Sequence, residues 1–399
     1  MDHNQLNLPV ASPNNHPSAN KLLEQLRSTA WACASINSAI CATFTPTLYV
    51  RTAKHQPTPK CETRTIQPRA LKSLRDRLEI KSDIELKEVA NHPINKLLAD
   101  PNKYHTSYDL WELTTLYQET VGSCFWLLDF NALGRPIAIW PLPSQWVFIW
   151  PSPDGTFFYQ FRGEQYDEHQ IIHFRYPDPS NPYYYGLSPL RAAQNEAKLS
   201  TTYAELKLAR FENRAAPDVV ISPKEPIGLE ERNRLEASWD AKFRRRGNGK
   251  AYVSESEITV DLLNGQMGDL ALLAEKGKNA EDICNAFHVP LSMLSTNTNL
   301  ANLQASEAQH ARIAINPRIR RRDEKLNDQL IPYFDPSKRL FLCSPDADPG
   351  NGEDWRTIQS AAQYGWQTIN EIRATQDLPP VTWGDKPCTQ PIPGPSASP

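Results

Sequence analysis

Gly186-Leu187-Ser188-Pro189-Leu190 places a hydroxyl between a glycine and a helix-forming stretch, where an activated serine nucleophile could sit. The sharp strand-to-helix turn of such a nucleophile needs a second glycine, and Leu190 stands there instead. The same residues make a good helix start. Ser188 can accept a backbone N–H as N-cap, worth about 1 kcal/mol, and Pro189 suits the first helical position because its missing N–H is not needed there. Arg244 to Tyr252, RRRGNGKAY, ends like a phosphate-binding loop, yet Arg244 replaces its first glycine and Ala251 its magnesium-binding hydroxyl. Arg244, Arg245, Arg246 and Lys250 therefore read as an exposed turn, with contact to an acidic partner or a phosphate backbone as the second reading.

The remaining candidates also fall short of catalysis. His169 and His173 flank a strand-like run, without H-E-x-x-H or an acidic cluster at ligand spacing, so they read as structural or surface histidines. Glu281 and Asp282 are adjacent on a helix and point apart, as a solvated or subunit-facing edge does. In RIRRRDEK, Arg318 to Lys325, the acids Asp323 and Glu324 lie within a turn of the arginines, which favours a salt-bridged helix face over a nucleic-acid stripe. The seven cysteines (Cys33, Cys41, Cys61, Cys124, Cys284, Cys343 and Cys388) form no C-x-x-C pair, which points to reduced, buried thiols in a cytoplasmic setting. No metal, cofactor or catalytic constellation emerges, and an enzyme is disfavoured.

The elements that would position these residues follow from periodicity. Residues 1–20 are polar and aperiodic and are expected to be a mobile arm. KLLEQLRSTAWACASINSAICATF repeats small and apolar residues at helical spacing (Leu22, Leu26, Ala30, Cys33, Asn37), and TLYVR reads as a short strand. Arg69 to Val89 is charged and reads as a helix facing mostly water, and a further helix is expected across Asp109 to Val121. CFWLLDF, IAIW, WVFIW, TFFYQF and QIIHFR, separated by turn signals, predict an antiparallel meander. Beyond Tyr185 the chain turns largely helical. Helices are expected over about Pro189–Arg214, Asp269–Phe287, Leu303–Leu330 and Trp355–Thr375, with a short α/β stretch before Gln266 and Pro317 kinking the third. The first of these carries two apolar stripes, one through Leu190, Ala193, Ala197 and Leu208 and a second beginning at Leu199, Tyr203 and Leu206, so it must be packed on more than one side.

The 399 residues exceed one ordinary core, and 34 prolines against 16 glycines stiffen the connections. Lys and Arg number 43 against 46 Asp and Glu, a formal net charge of -3, which argues against tight gripping of nucleic acid. The most apolar stretch, IAIWPLPSQWVFIW, is broken by Pro141 and Pro143, and no basic and apolar leader opens the chain, so neither secretion nor a membrane span is expected.

Taken in order, TAWACASINSAICATFTPTLYVR, HPINKLLADPN, IIHFR with YYYGLSPL, NRAAPDVVIS, FHVPLSML, QASEAQHARIAINPRIRRRDEKLNDQLIP and TINEIRATQDLPP with WGD resemble the portal proteins of tailed bacteriophages, in the branch common among phages with long flexible tails. The chain departs from the family pattern at GSCFW (Gly122 to Trp126) and NRAAP (Asn213 to Pro217), where an aromatic strand and a helix stop are nonetheless kept. The resemblance implies an α+β portal fold: an N-terminal arm over 1–20, a β-rich wing over 21–187, a first stem helix over 188–214, and a small α/β clip over 215–266. A second stem helix over 267–288, a tunnel loop over 289–302, a kinked helix and return to the wing over 303–350, a helical crown over 351–385 and a disordered tail over 386–399 complete it.

By the same resemblance the chain forms a homo-oligomeric ring, usually of twelve, at one capsid vertex in the virion, assembled in the host cytoplasm. It would meet double-stranded DNA without sequence preference, the terminase large subunit, the major capsid protein and a head-tail adaptor. Ser295, Thr296, Asn297, Thr298 and Asn299 would be the DNA-facing loop, and Arg244, Arg245, Arg246 and Lys250 the clip contact for terminase or adaptor. Each phosphate neutralised steepens the salt dependence of binding by about 0.9 log units, so a conduit gains from near-neutral walls. A shorter head-completion or adaptor ring protein, or a phage DNA-processing enzyme with scattered ligands, are the alternatives.

Overall fold

The computed structural model describes residues 19–53, 62–66, 71, 74–75, 77–78, 84–152, 156–212, 219–223, 228–239, 258–262, 267–295, 299–347, 364–375 and 378–385. Two N-terminal helices open it, α1 (Ala19–Gln25) and α2 (Ser28–Thr43). The buried face of α2 is made of small side chains, Ala30, Cys33, Ala34, Asn37, Ser38, Cys41 and Ala42, which lets neighbouring helices approach closely. Strand β1 (Thr47–Ala53) then enters a four-stranded sheet in the order β12-β1-β3-β2, with β2 (Thr63–Arg64), β3 (Ile84–Val89) and β12 (Leu340–Cys343).

The expected helix through Arg69 to Val89 is therefore wrong over its last six residues. Ile84-Glu85-Leu86 alternates with period two, and pairing of Tyr49 to Glu88 through Ala53 to Ile84 settles the ambiguity that its charges left open. The partners Thr47 to Cys343 and Val50 to Leu340 stitch the two ends of the chain into one sheet.

The main core gathers around α4 (Ser107–Val121), reached through α3 (Pro93–Ala99). Thr106 and Asp109 form a reciprocal capping box, with Asp109 N donating to Thr106 Oγ1 and Thr106 N donating to Asp109 Oδ2. Gly122, at φ 88, ends the helix in the left-handed region. Strand β4 (Ser123–Phe130) follows and lays Trp126 against Trp111, ring centroids 5.2 Å apart, while the Trp126 indole donates to Thr114 Oγ1 at 2.8 Å.

The expected single meander is instead two three-stranded antiparallel sheets. β5 (Pro136–Leu142) and β9 (Ile171–Arg175) flank β4, whereas β6 (Val147–Pro151), β7 (Phe157–Phe161) and β8 (Glu164–Asp167) form their own sheet. The chain leaves the first sheet after β5 and returns to it at β9, so the aromatic faces of both sheets enclose Phe125, Ile149, Tyr159 and Tyr184.

Helix α5 (Pro189–Ala192) runs into α6 (Gln194–Glu212), with an irregular residue at Ala193 where one continuous helix was expected; N–H bonds from Ala193 to Pro189 and from Ala197 to Ala193 carry the ladder across it. Beyond lie β10 (Val219–Pro223), α7 (Leu229–Trp239) and β11 (Ile258–Leu262), the two strands paired antiparallel. Helix α8 (Met267–Phe287) returns to the body beside α6, and Asn279 Nδ2 donates to Glu196 O at 2.8 Å. Of the apolar positions on α5 and α6, Leu190, Ala193 and Ala197 are buried, but Leu199 and Leu208 remain 48% and 60% exposed.

The expected kinked helix is α9 (Leu300–His310), a π turn (Ala311–Ile315) and α10 (Asn316–Gln329). Pro317 sits in the first turn of α10, so the irregularity falls one turn before the proline, as a widened turn that accommodates its missing donor. A final short helix, α11 (Ile369–Thr375), is held to residues 381–385 by Asn370. Among the described residues, no helix is long and apolar enough to cross a membrane.

Candidate functional site

The polar loop expected to face a partner begins where α8 stops. His288 takes a left-handed φ of 58, with its N–H on Asn285 O at 3.1 Å and the Val289 N–H on Cys284 O at 2.9 Å, which satisfies carbonyls of the last turn. Pro290 and a short helical turn, Leu291–Met293, follow. Ser292 Oγ lies 2.7 Å from Ser306 Oγ, which braces the loop against α9. Ser295 and Asn299 are exposed, and Asn299 precedes α9 as its N-cap without a side-chain cap bond. Thr296, Asn297 and Thr298 lie outside the described residues, as do Arg244, Arg245, Arg246 and Lys250.

Behind that loop is a buried polar hub that sequence reading did not assemble. Glu119, wholly buried on α4, accepts Arg318 Nε at 2.7 Å and Nη2 at 3.1 Å, Asn37 Nδ2 at 3.0 Å and the Tyr176 hydroxyl at 2.5 Å. Arg318 also donates to Phe287 O, the last residue of α8, and to Ala314 O inside the π turn. Asn37 Nδ2 donates to Phe287 O as well, at 3.0 Å. Because the amide nitrogen serves two acceptors, Asn37 Oδ1 faces His310 Nε2 at 2.8 Å, and that nitrogen must carry the imidazole proton. Burial, then the Arg318 charge, pushes His310 down to about 4, against a smaller opposing pull from Glu119. Burial and the neighbouring Glu119 hold the Tyr176 phenol well above its ordinary value. Four elements therefore meet at one carboxylate, α2, α4, α10 and the segment after β9, and Asn37 and Arg318 tie the end of α8 and the π turn to them.

Arg322, one turn along α10, makes a second cluster. It donates to Cys41 O and Phe44 O at the end of α2 and to Ser344 Oγ, lies over the Trp111 ring at 4.5 Å, and pairs with Asp323 at 3.4 Å. The local neutralisation expected in Arg318 to Lys325 is thus only partly what happens. Arg318 and Arg322 turn inward to distant partners, and Arg320 alone of these three is half exposed, pairing with Asp346 at 3.3 Å. The available signal was Asn37 on the buried stripe of α2 and Glu119 amid Thr and Gln on α4; neither announces its partner, because the pairs are 82 and 199 residues apart.

Where the chain passes from the β-rich region into α5, Ser188 Oγ accepts the Arg191 N–H at 3.0 Å, with Pro189 in the first turn of α5. Gly186 is there for room, not for a turn: a Cβ on it would stand 2.1 Å from Gly122 O, and one on Gly122 would stand 2.2 Å from Gly186 O. The Gly186 N–H donates to Ser123 Oγ at 2.9 Å. Tyr184 is buried against Phe157, and the Tyr185 hydroxyl bridges the backbone of Ile149 and Val147. Among the described residues, Ser188 Oγ has no hydrogen bond to a histidine or a carboxylate; its bond is the one from the Arg191 N–H. Among the described residues no group of three His, Cys, Asp or Glu is placed to hold a metal ion. The arrangement positions helix ends.

The match to known proteins runs along most of this framework. The family model for "Phage portal protein" matches residues 70–377. An uncharacterised protein of Rickettsia bellii (strain RML369-C) is 23% identical over 313 residues, covering 74% of this chain and 80% of its own length. The portal protein of Enterobacteria phage HK97 is 22% identical over 315 residues, covering 76% and 74%. The solved neck of a native GTA particle, computed with C12 symmetry, superposes with a TM-score of 0.62 at 17% identity over 94% of this chain and 97% of its own. An HK97-family phage portal protein from Corynebacterium diphtheriae gives 0.53 at 15% identity, over 81% and 94%. The mixed helix-and-sheet fold is that of portal protein structures. The chain belongs to the phage portal protein family.

Proposed function

We propose that the chain is a portal subunit, which assembles with copies of itself into a ring at a single capsid vertex. That ring is the channel through which DNA is packaged and ejected, and the platform on which the terminase and then the head-tail connector dock. The observation that carries the reading is a fold shared over nearly the whole chain with a protein from a particle neck that was computed with twelvefold symmetry. Leu199 and Leu208, exposed on α6 in the single chain, supply apolar surface that a neighbouring copy would cover. In this reading α5 with α6, and α8, are the stem, residues 215–266 the clip, 289–302 the tunnel loop and 351–385 the crown, with Ser295 to Asn299 facing DNA and Arg244, Arg245, Arg246 and Lys250 facing the terminase or adaptor. The wing carries the contact to the major capsid protein. The subunit catalyses nothing, and needs no cofactor, for a separate motor supplies the work.

Electron microscopy of the purified protein tests this: closed rings with a hole wide enough for a duplex are expected, and a chain that stays monomeric at every concentration overturns it. In the same assembly, Asn297→Asp with Asn299→Asp should leave rings intact and impair packaging, because added negative charge repels the phosphate backbone. A ring in which those two side chains lie on the outer wall refutes the tunnel-loop assignment.

A further inference from the structure

Cys33 on α2 and Cys284 on α8 are 251 positions apart in sequence, yet their Sγ atoms stand 3.8 Å from each other, with the Cys33 thiol directed at Cys284. Both thiols are free and buried, in a cluster with Leu22, Ala30, Leu190 and Phe287. The other described cysteines have no such neighbour: Cys41 lies by Thr115, Cys124 by Thr114, and Cys343 faces Arg77. Two thiols with no third ligand do not make a metal site. A disulfide holds its sulfurs at about 2.05 Å, so the two Sγ atoms need only close a gap of under about 2 Å to bond.

We propose that Cys33 and Cys284 are a latent disulfide site, closed by hydrogen peroxide, which ties the N-terminal helix α2 to the end of α8. Cys284 is the sulfur that ionises first, because the hydrogen bond from Cys33 lowers its pKa while raising that of Cys33. Its thiolate attacks one peroxide oxygen, the O–O bond breaks, and hydroxide leaves, so Cys284 becomes a sulfenic acid. Cys33 gives its proton to that hydroxide and attacks Cys284 Sγ, and the sulfenic oxygen departs as a second hydroxide, protonated to water. Two thiols and one peroxide yield one disulfide and two waters: the sulfurs lose two electrons, the peroxide gains them. Burial of both sulfurs favours so small an oxidant over a bulky disulfide reagent. The bond closes a long loop, which restricts the unfolded chain and pins α2 to α8.

The full-length protein, treated with hydrogen peroxide, alkylated and digested without reduction, should yield a linked peptide pair containing Cys33 and Cys284 as its main disulfide. The thermal midpoint should rise with that bond and fall back on adding dithiothreitol. Cys33→Ala and Cys284→Ala should each abolish both effects, and the wild-type linkage stands as a readout even where a variant folds poorly. The proposal is overturned if the two cysteines stay alkylatable, if each is oxidised separately to sulfinic acid, or if the pair appears only in urea. The cross-link does not depend on ring formation. Linked peptides without rings would defeat the portal reading alone, and rings without linked peptides would defeat this one alone.

Discussion

Removing either partner of the Glu119–Arg318 pair should be far more damaging than removing both. In Glu119→Leu, the Arg318 guanidinium keeps only neutral acceptors, Phe287 O and Ala314 O, and in Arg318→Met the wholly buried carboxylate keeps only Asn37 and Tyr176. Each single change strands a charge in the core and should cost about 3–5 kcal/mol. The double variant strands no charge. Asn37 still has Phe287 O, so its main deficit is the Tyr176 hydroxyl, roughly 1–3 kcal/mol for an unsatisfied buried donor. The double variant should therefore be more stable than either single one. Arg320→Met is the control: that side chain is half exposed in its pair with Asp346 and its loss should cost under about 1 kcal/mol. Urea midpoints of the wild type and these four variants, followed by tryptophan fluorescence, with Trp111 and Trp126 both buried, measure the cycle and its control. Additive losses in the double variant, or single losses as small as that of Arg320→Met, would falsify the hub as a coupled unit.

Gly186→Ala should lower soluble yield and stability by more than about 3 kcal/mol, because backbone faces backbone at the Gly122 contact and neither can swing aside. Gly134→Ala, with a left-handed φ of 69 but open space around it, should cost only about 1–2 kcal/mol, so equal losses would remove the close-approach argument. Ser188→Ala should cost about 0.5–2 kcal/mol in thermal or urea stability through loss of the Arg191 cap bond, and a variant as stable as wild type would contradict the cap. His310 titrates near 4 when folded against an ordinary 6.5, so the unfolded chain takes up the proton first and stability falls as pH drops through that window. His310→Gln, which can still donate to Asn37 Oδ1, should flatten that fall in urea midpoints taken between pH 6.5 and 4; an unchanged slope would show that His310 does not contribute.

The legible parts of this chain were those written in short range. Helix ends at Ser188-Pro189 and after Phe287 and the aromatic runs of the β-rich region all follow from neighbours a few residues away. What stayed hidden depended on partners far along the chain. Ile84–Val89 has charges enough for a solvated helix, and only β1 decides that it is a strand. The aromatic runs looked like one meander because nothing within β9 says that it pairs with β4 and not with its predecessor β8. Gly186 carries no mark of Gly122, 64 residues earlier, because a need for space belongs to the opposing backbone.

The hub illustrates why a helix so rich in arginine can lie in a core. Arg318 and Arg322 are one turn apart on α10, and each is aimed at the carbonyl end of another helix: Arg318 at Phe287 closing α8, Arg322 at Cys41 and Phe44 closing α2. Helix ends carry orphan carbonyls and the negative end of the dipole, so a buried cation there replaces water that the core excludes. Glu119 and Asp323 then balance the charge that this capping brings inside. Carboxylates alone could not accept from themselves, and lysines could not serve a carboxylate and two carbonyls in one plane as the guanidinium of Arg318 does. The ends of α2 and α8 are consequently fixed relative to α10, while the exposed polar residues Ser295 and Asn299 lie on the short connection between α8 and α9.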